Sequence, residues 1–243
     1  MPREILPEAL RQASRQGLAS PVATVRMETG GVMVDGRLDP IVAAMLNVIS
    51  DASLMVTVDV QLEGDSSVTT IWATPHRAVV TSSLDPELVD IQPVRLPRLP
   101  ETLTDVIMLR PPEGVLGQTI TVPTPAMGEA DAHRGDSEAA LADLLAAGLS
   151  AEDAELVLAF QSPSTRRWRI SSTWAAETGQ QMAQLRGLDA GPKGQWLIEM
   201  SGDRNQPGEM TFTPQNDGDI LRALRVVLPR RWVGTALNPR SAR

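Results

Sequence analysis

Hydrophobic and polar residues alternate without a break from Leu54 to Leu62. Leu54, Val56, Val58, Val60 and Leu62 share one parity; Met55, Thr57, Asp59 and Gln61 share the other. Successive strand side chains point to opposite faces, so the pattern predicts a strand with one aliphatic face and one mostly polar face. At helical spacing the same residues would scatter around every side. Further strands are predicted at 68–73, 78–81 and 88–94, separated by turns rich in Gly, Asp, Ser and Pro. Short strands joined by short polar turns read as an antiparallel meander. Helices are predicted on either side of it, at 40–49 and 100–109.

The same order occurs a second time. Helices are predicted at 137–147 and 150–160, broken at Gly148, then strands at 167–174, 181–188, 195–200 and 210–213. Asp189-Ala190-Gly191-Pro192-Lys193-Gly194 is the clearest hairpin turn among them. A last helix, 217–228, carries Ile220, Leu221, Leu224, Val227 and Leu228 as an apolar stripe and is stopped by Pro229. Start signals agree: Asp39 before Pro40, Ser150 three residues before Asp153, and the acidic Asp217-Gly218-Asp219. Ahead of the first meander, 7–16 reads as a helix stopped by Gly17, and 22–27 and 32–34 as strands. The fold class expected is α+β: two pseudo-symmetric halves, each an antiparallel sheet flanked by helices. The halves are 18–112 and 136–229 of a single domain, 1–229, joined by a Pro/Gly-rich linker, 113–135. A basic tail follows at 230–243.

Composition narrows the picture. There is no Tyr, only two Phe and five Trp, so the core is built from aliphatic residues. The absence of Cys removes disulfides and thiolate chemistry and fits a reducing compartment. No signal peptide or bilayer-length apolar run is visible, and the expected location is the cytoplasm. The net charge of −8 opposes general nucleic-acid binding. Residues 129–155 are strongly acidic, with Arg134 as their one basic residue.

Catalytic signatures are missing. His76 and His133 are the two histidines, far apart in sequence, which excludes a His-rich metal site. No Gly-x-Ser-x-Gly elbow or Rossmann fingerprint occurs, and 187–194 has Pro192 where a phosphate loop needs its second Gly. No cofactor is expected. An enzyme reading would need a pocket collecting two of Asp59, Asp90, Asp189 and Glu199. Two basic-aromatic clusters remain, Arg166-Arg167-Trp168-Arg169 and Arg230-Arg231-Trp232. In a strand Trp168 faces the core with the arginines flanking it. Trp and Arg are also enriched at protein–protein hot spots.

Several phrases resemble the ESX (type VII) secretion-associated proteins of the EspG family. They are Gly36-Arg37-Leu38-Asp39-Pro40 opening a helix, the 54–62 strand, Ile71-Trp72-Ala73-Thr74-Pro75-His76-Arg77-Ala78-Val79-Val80, and Leu109-Arg110-Pro111. Arg167-Trp168-Arg169-Ile170, the 188–196 hairpin and the 221–229 helix end are similar too. The resemblance implies two pseudo-symmetric halves and a cytosolic, non-enzymatic chaperone of an actinobacterium. Such a chaperone binds the PPE tip of a PE–PPE heterodimer, or a related helical hairpin, and delivers it to the secretion machinery. The family's partner surface involves the sheet and the C-terminal helices. Trp174, Arg222, Arg225 and Trp232 are the contact residues expected here. The rival is an assembly subunit of the same fold that self-associates, as a homodimer or larger; it would oligomerise alone, whereas a chaperone forms a discrete complex with its client.

Overall fold

The alternating stretch forms strand β4 (Leu54–Leu62) at the middle of a ten-stranded sheet. A computed structural model describes residues 24–26, 33–34, 37–83, 88–109, 117–133, 135–202 and 208–229. The elements before β4 are β1 (Thr24–Arg26), β2 (Met33–Val34), β3 (Arg37–Leu38) and α1 (Pro40–Ser50). After it come β5 (Asp65–Ala73), β6 (Ala78–Ser83), β7 (Leu88–Val94) and α2 (Leu99–Val106). Then follow β8 (Ile120–Pro123), α3 (Thr124–Ala132), α4 (Ser137–Ala146) and α5 (Ala151–Phe160). The chain continues through β9 (Arg166–Ala176), β10 (Gly179–Asp189), β11 (Gln195–Met200), β12 (Glu209–Gln215) and α6 (Asp217–Val227).

The strand order is β1-β7-β6-β5-β4-β9-β10-β11-β12-β8. All pairings in this sheet are antiparallel except β1 with β7. Each meander therefore runs outward from the centre, and β4 meets β9 in register from Leu54↔Trp174 to Gln61↔Arg167. The two sheets expected from the sequence are one continuous sheet. The reason lies in β9: Trp168, Ile170 and Ser172 have the parity that places them beside Val60, Val58 and Val56. Both strands thus offer one apolar face to the same layer.

That layer is a pair of helices. Leu99 and Leu103 of α2, and Ile220, Leu224 and Val227 of α6, are buried against Leu54, Val56, Val58, Ile71, Trp168 and Ile170. We term this the front face. Ser172 on it is fully buried, and its hydroxyl donates to the Val227 carbonyl at the end of α6. On the back face, α1 covers Trp72, Val79 and Ile91 at one side of the sheet. At the other side Leu188, Trp196 and Phe212 pack with Ala140, Leu144, Val157 and Phe160 of α4 and α5. Phe160 lies 5.0 Å from Trp196 and 5.1 Å from Phe212, ring to ring.

Local signals explain the helix starts. The Asp39 carboxylate accepts from the Ile41 and Val42 amides at 2.7 and 3.4 Å, ahead of Pro40 at the first helical position. The Ser150 hydroxyl accepts from the Asp153 amide at 3.1 Å. The last helix is capped one residue earlier than expected: Asn216 and Asp219 form a reciprocal capping box. Gly148, with φ of 93°, ends the turn after α4. The stretch 113–135, expected to be a linker, carries β8 and α3. Its four-residue strand and alanine-rich helix are too short to give a readable period, and β8 gains its place by pairing with β12. Expected elements at 7–16 and the tail 230–243 lie outside the described residues.

Gly187 sits opposite Trp168 on the front face. A Cβ there would lie 2.2 Å from the indole ring, so only glycine leaves the ring its place. Gly187→Ala is expected to destabilise the fold by about 1–3 kcal/mol through overpacking. Urea unfolding checks this, and an unchanged midpoint would show that the ring moves aside freely.

Candidate functional site

Among the described residues, no helix lies above the polar parity of β4 at the centre of the sheet. Thr57 and Asp59 of β4, Arg169 and Ser171 of β9, and Gln184 and Arg186 of β10 form the floor of an open trough on the back face. The walls are α1 on one side and the α3–α5 layer on the other. Neighbouring strands lie about 4.8 Å apart, so the four strands β5, β4, β9 and β10 give a floor of about 15–20 Å. A helix with its side chains is about 10–12 Å across.

Large apolar side chains stand exposed around this polar floor. Val68 is 44% exposed, Met200 51% and Met182 75%. Val68 pairs with Asp59 and Met182 with Thr173, which places both on the back face. The cross-strand row reads Val68, Asp59, Arg169, Arg186. Arg169 donates to Asp59 Oδ2 from Nε at 3.0 Å and from Nη2 at 2.9 Å. Arg186 donates to Gln184 Oε1 at 3.1 and 2.9 Å and to Met200 Sδ at 2.8 Å. A cleft of about 370 Å³ opens where this row meets Gln61, Ser66 and Ser67.

Strand alternation splits the 166–169 cluster. Arg167 and Arg169 go to the back face. Arg166 shares the front face with Trp168 and is buried, so of the arginines expected to flank the tryptophan only Arg167 and Arg169 lie on the opposite face. Its Nη1 donates to the Met108 carbonyl at 2.9 Å and to Asp189 Oδ2 at 3.2 Å. Met108 has a positive φ of 52°, a strained conformation for this residue, just past the end of α2. Arg166 thereby ties the exit of α2 to β9 and β10. Arg167 donates to the Phe160 carbonyl at 2.9 Å and so holds the C-terminus of α5 on the sheet.

The contact residues expected from the sequence lie elsewhere. Trp174 is half-buried at the far end of β9, on the front face. Arg222 and Arg225 are exposed on α6; Arg222 pairs with Asp219 one turn back and donates to the Gly218 carbonyl at 3.2 Å. Trp232 lies outside the described residues. Trp174, Arg222 and Arg225 do not reach the trough. Arg169, Arg186, Met182 and Met200 are not among the contact residues expected from the sequence, although the parity of β9 and β10 against β4 is the signal that brings them together.

The four carboxylates of the enzyme reading are dispersed. Asp59 faces the trough, whereas Asp90, Asp189 and Glu199 share the parity of the front face. Asp90 is on β7 and Glu199 on β11, six strands apart, about 29 Å at the usual strand spacing. Among the described residues no group of three His, Asp or Glu side chains could hold a metal. His133 binds Asp143 on the surface at 2.7 Å, and His76 lies in the exposed β5–β6 turn. Among the described residues no helix is long and apolar enough to cross a membrane.

The family model of the EspG family matches residues 4–226. The chain belongs to the EspG family. No curated protein matches the sequence. Among solved structures the fold is similar to that of a type VII secretion system chaperone of Mycobacterium tuberculosis, EspG5, determined in complex with a PE25–PPE41 dimer. The TM-score is 0.58 at 14% identity, over 93% of this chain and 86% of that one. The family's sheet-and-helix architecture thus spans nearly all of this EspG-family chain.

Arg166→Met is expected to lower stability by about 3–5 kcal/mol, because it leaves Asp189 buried without its cation. Asp189→Asn leaves the buried Arg166 without its anion but keeps an acceptor for it and its bond to the Met108 carbonyl, so it should cost less than Arg166→Met, which loses both. Chemical denaturation of the two variants tests the ranking; equal losses would refute it.

Proposed function

We propose that this chain is a non-catalytic cytoplasmic chaperone of type VII secretion. It holds the PPE tip of a PE–PPE dimer and keeps it soluble for delivery to an ESX machinery. One observation carries the reading: EspG-family membership comes with a fold match to a chaperone solved with such a dimer, over 93% of this chain. The dispersed carboxylates support a binding role.

The trough is the surface that suits the client. The end of a helical hairpin presents apolar side chains on a rounded tip, and covering it takes an apolar contact inside a polar frame. Val68, Met182 and Met200 supply the apolar contacts, and methionines adapt their shape to a partner. The width admits one helix, or the tip of two. A second surface is favoured by Val226, 77% exposed on α6 beside Arg225. With Trp174 and Arg222 it makes an independent contact patch on the front side.

Co-expression with PE–PPE pairs from the same genome, followed by size-exclusion chromatography with light scattering, tests the reading. A complex with one copy of each protein is expected. Val68→Asp with Met182→Asp should weaken it about tenfold or more, as at interface hot spots. Trp174→Ala with Arg225→Glu reports on the second patch. A homo-oligomer that ignores every pair would instead make the protein a self-associating assembly subunit.

A further inference from the structure

The floor of the trough contains an arrangement that the fold alone does not favour. Arg169 and Arg186 stand directly opposite each other on β9 and β10. Like charges opposed across strands are destabilising. Asp59 compensates from β4, but both of its contacts go to Arg169 through one oxygen. Arg186 is half-buried, and among the described residues it has no carboxylate partner. Its guanidinium is held by a neutral amide oxygen and a thioether sulfur, the latter a weak acceptor. Two cations share one anion here, in a chain whose net charge is −8.

We infer that Arg186, oriented by Gln184 and Met200, is a specificity residue that receives a carboxylate from the client. The occupant is an Asp or Glu side chain at the tip of the PPE hairpin, seated between the Arg169 and Arg186 guanidinium groups. The inference rests on the chaperone reading above and adds the chemistry that selects among clients. Charge-assisted guanidinium–carboxylate bonds are the strong, geometrically specific kind. The apolar rim of Val68, Met182 and Met200 excludes water from the pair as the tip settles. Clients with a neutral or basic tip would leave Arg186 without an anion, a penalty that discriminates against them.

The test uses the full chain and a purified PE–PPE pair that binds it, with three variants: Arg186→Gln, Arg186→Glu and Arg98→Gln. Arg186→Gln should weaken client binding by about tenfold or more and flatten its salt dependence. The same variant removes the like-charge opposition, so its unfolding midpoint in the free state should be unchanged or higher. Arg186→Glu should bind still more weakly, and a client with its tip carboxylate changed to Arg should restore it. Arg98→Gln, exposed at the start of α2 and outside both contact surfaces, should leave the salt dependence as it is. Arg186→Gln that binds like the wild type overturns the inference and leaves the chaperone reading standing. Parallel losses of affinity and stability overturn it too, by making Arg186 a structural residue. A wild-type chain that binds no PE–PPE pair removes both readings together.

Discussion

The antiparallel seam between β4 and β9 is the constraint on which the remaining architecture depends. It joins two outward-running meanders into one sheet and so creates a central region that neither meander has alone. Four aliphatic residues of β4 and Trp168 and Ile170 of β9 come together there, all but fully buried. Each such side chain contributes about 1.5–3 kcal/mol by leaving water. One face of a seam this apolar must be covered. The nearest cover is the helix that closes each meander, α2 from the first and α6 from the second.

The consequence is an uneven distribution of helices. With α2 and α6 both on the front, the back face receives α1 at one flank and α3–α5 at the other. Among the described residues, no helix is left to cover the middle. The sequence is consistent with this: the back-facing positions of the seam are Thr57, Asp59, Arg169 and Ser171, all able to stay in water. The trough is thus a by-product of covering the front. Its polarity also guards an otherwise open sheet surface against non-specific apolar contact.

Much of the fold was legible because its signals are local. Alternation marked β4, and caps at Asp39 and Ser150 marked helix starts within a residue. The failures had non-local causes. Strand β8 is four residues long and exists through β12, ninety residues downstream in the Thr121–Thr211 contact. The merging of two sheets depends on register between β4 and β9, which a single strand's pattern does not contain. The burial of Arg166 follows from the same parity rule that buries Trp168. An arginine is nonetheless expected in solvent unless its partners are known, and here they are Met108 and Asp189, 58 and 23 residues away. The site was the least legible part. Tryptophan and arginine at strand and helix ends stand out in isolation, and Trp174 lies half-buried beside the core while Arg222 pairs within its own helix; the Asp59–Arg169–Arg186 row becomes visible only once β4, β9 and β10 are set in register.

The opposed arginines sharpen the difference between a face that is merely uncovered and one that is prepared. A solvated sheet face is satisfied by any hydrophilic side chains, and a random polar set has no reason to place two guanidinium groups in register. Here the neighbour of Arg169 on one side is its carboxylate and on the other a second cation. Water screens that opposition while the trough is open. Once a partner displaces the water, screening falls and the unmatched charge becomes expensive unless the partner brings an anion. The same arrangement that costs little in the free protein therefore becomes a selective demand in the bound one. In this way an open polar floor can distinguish a partner that brings an anion from one that does not.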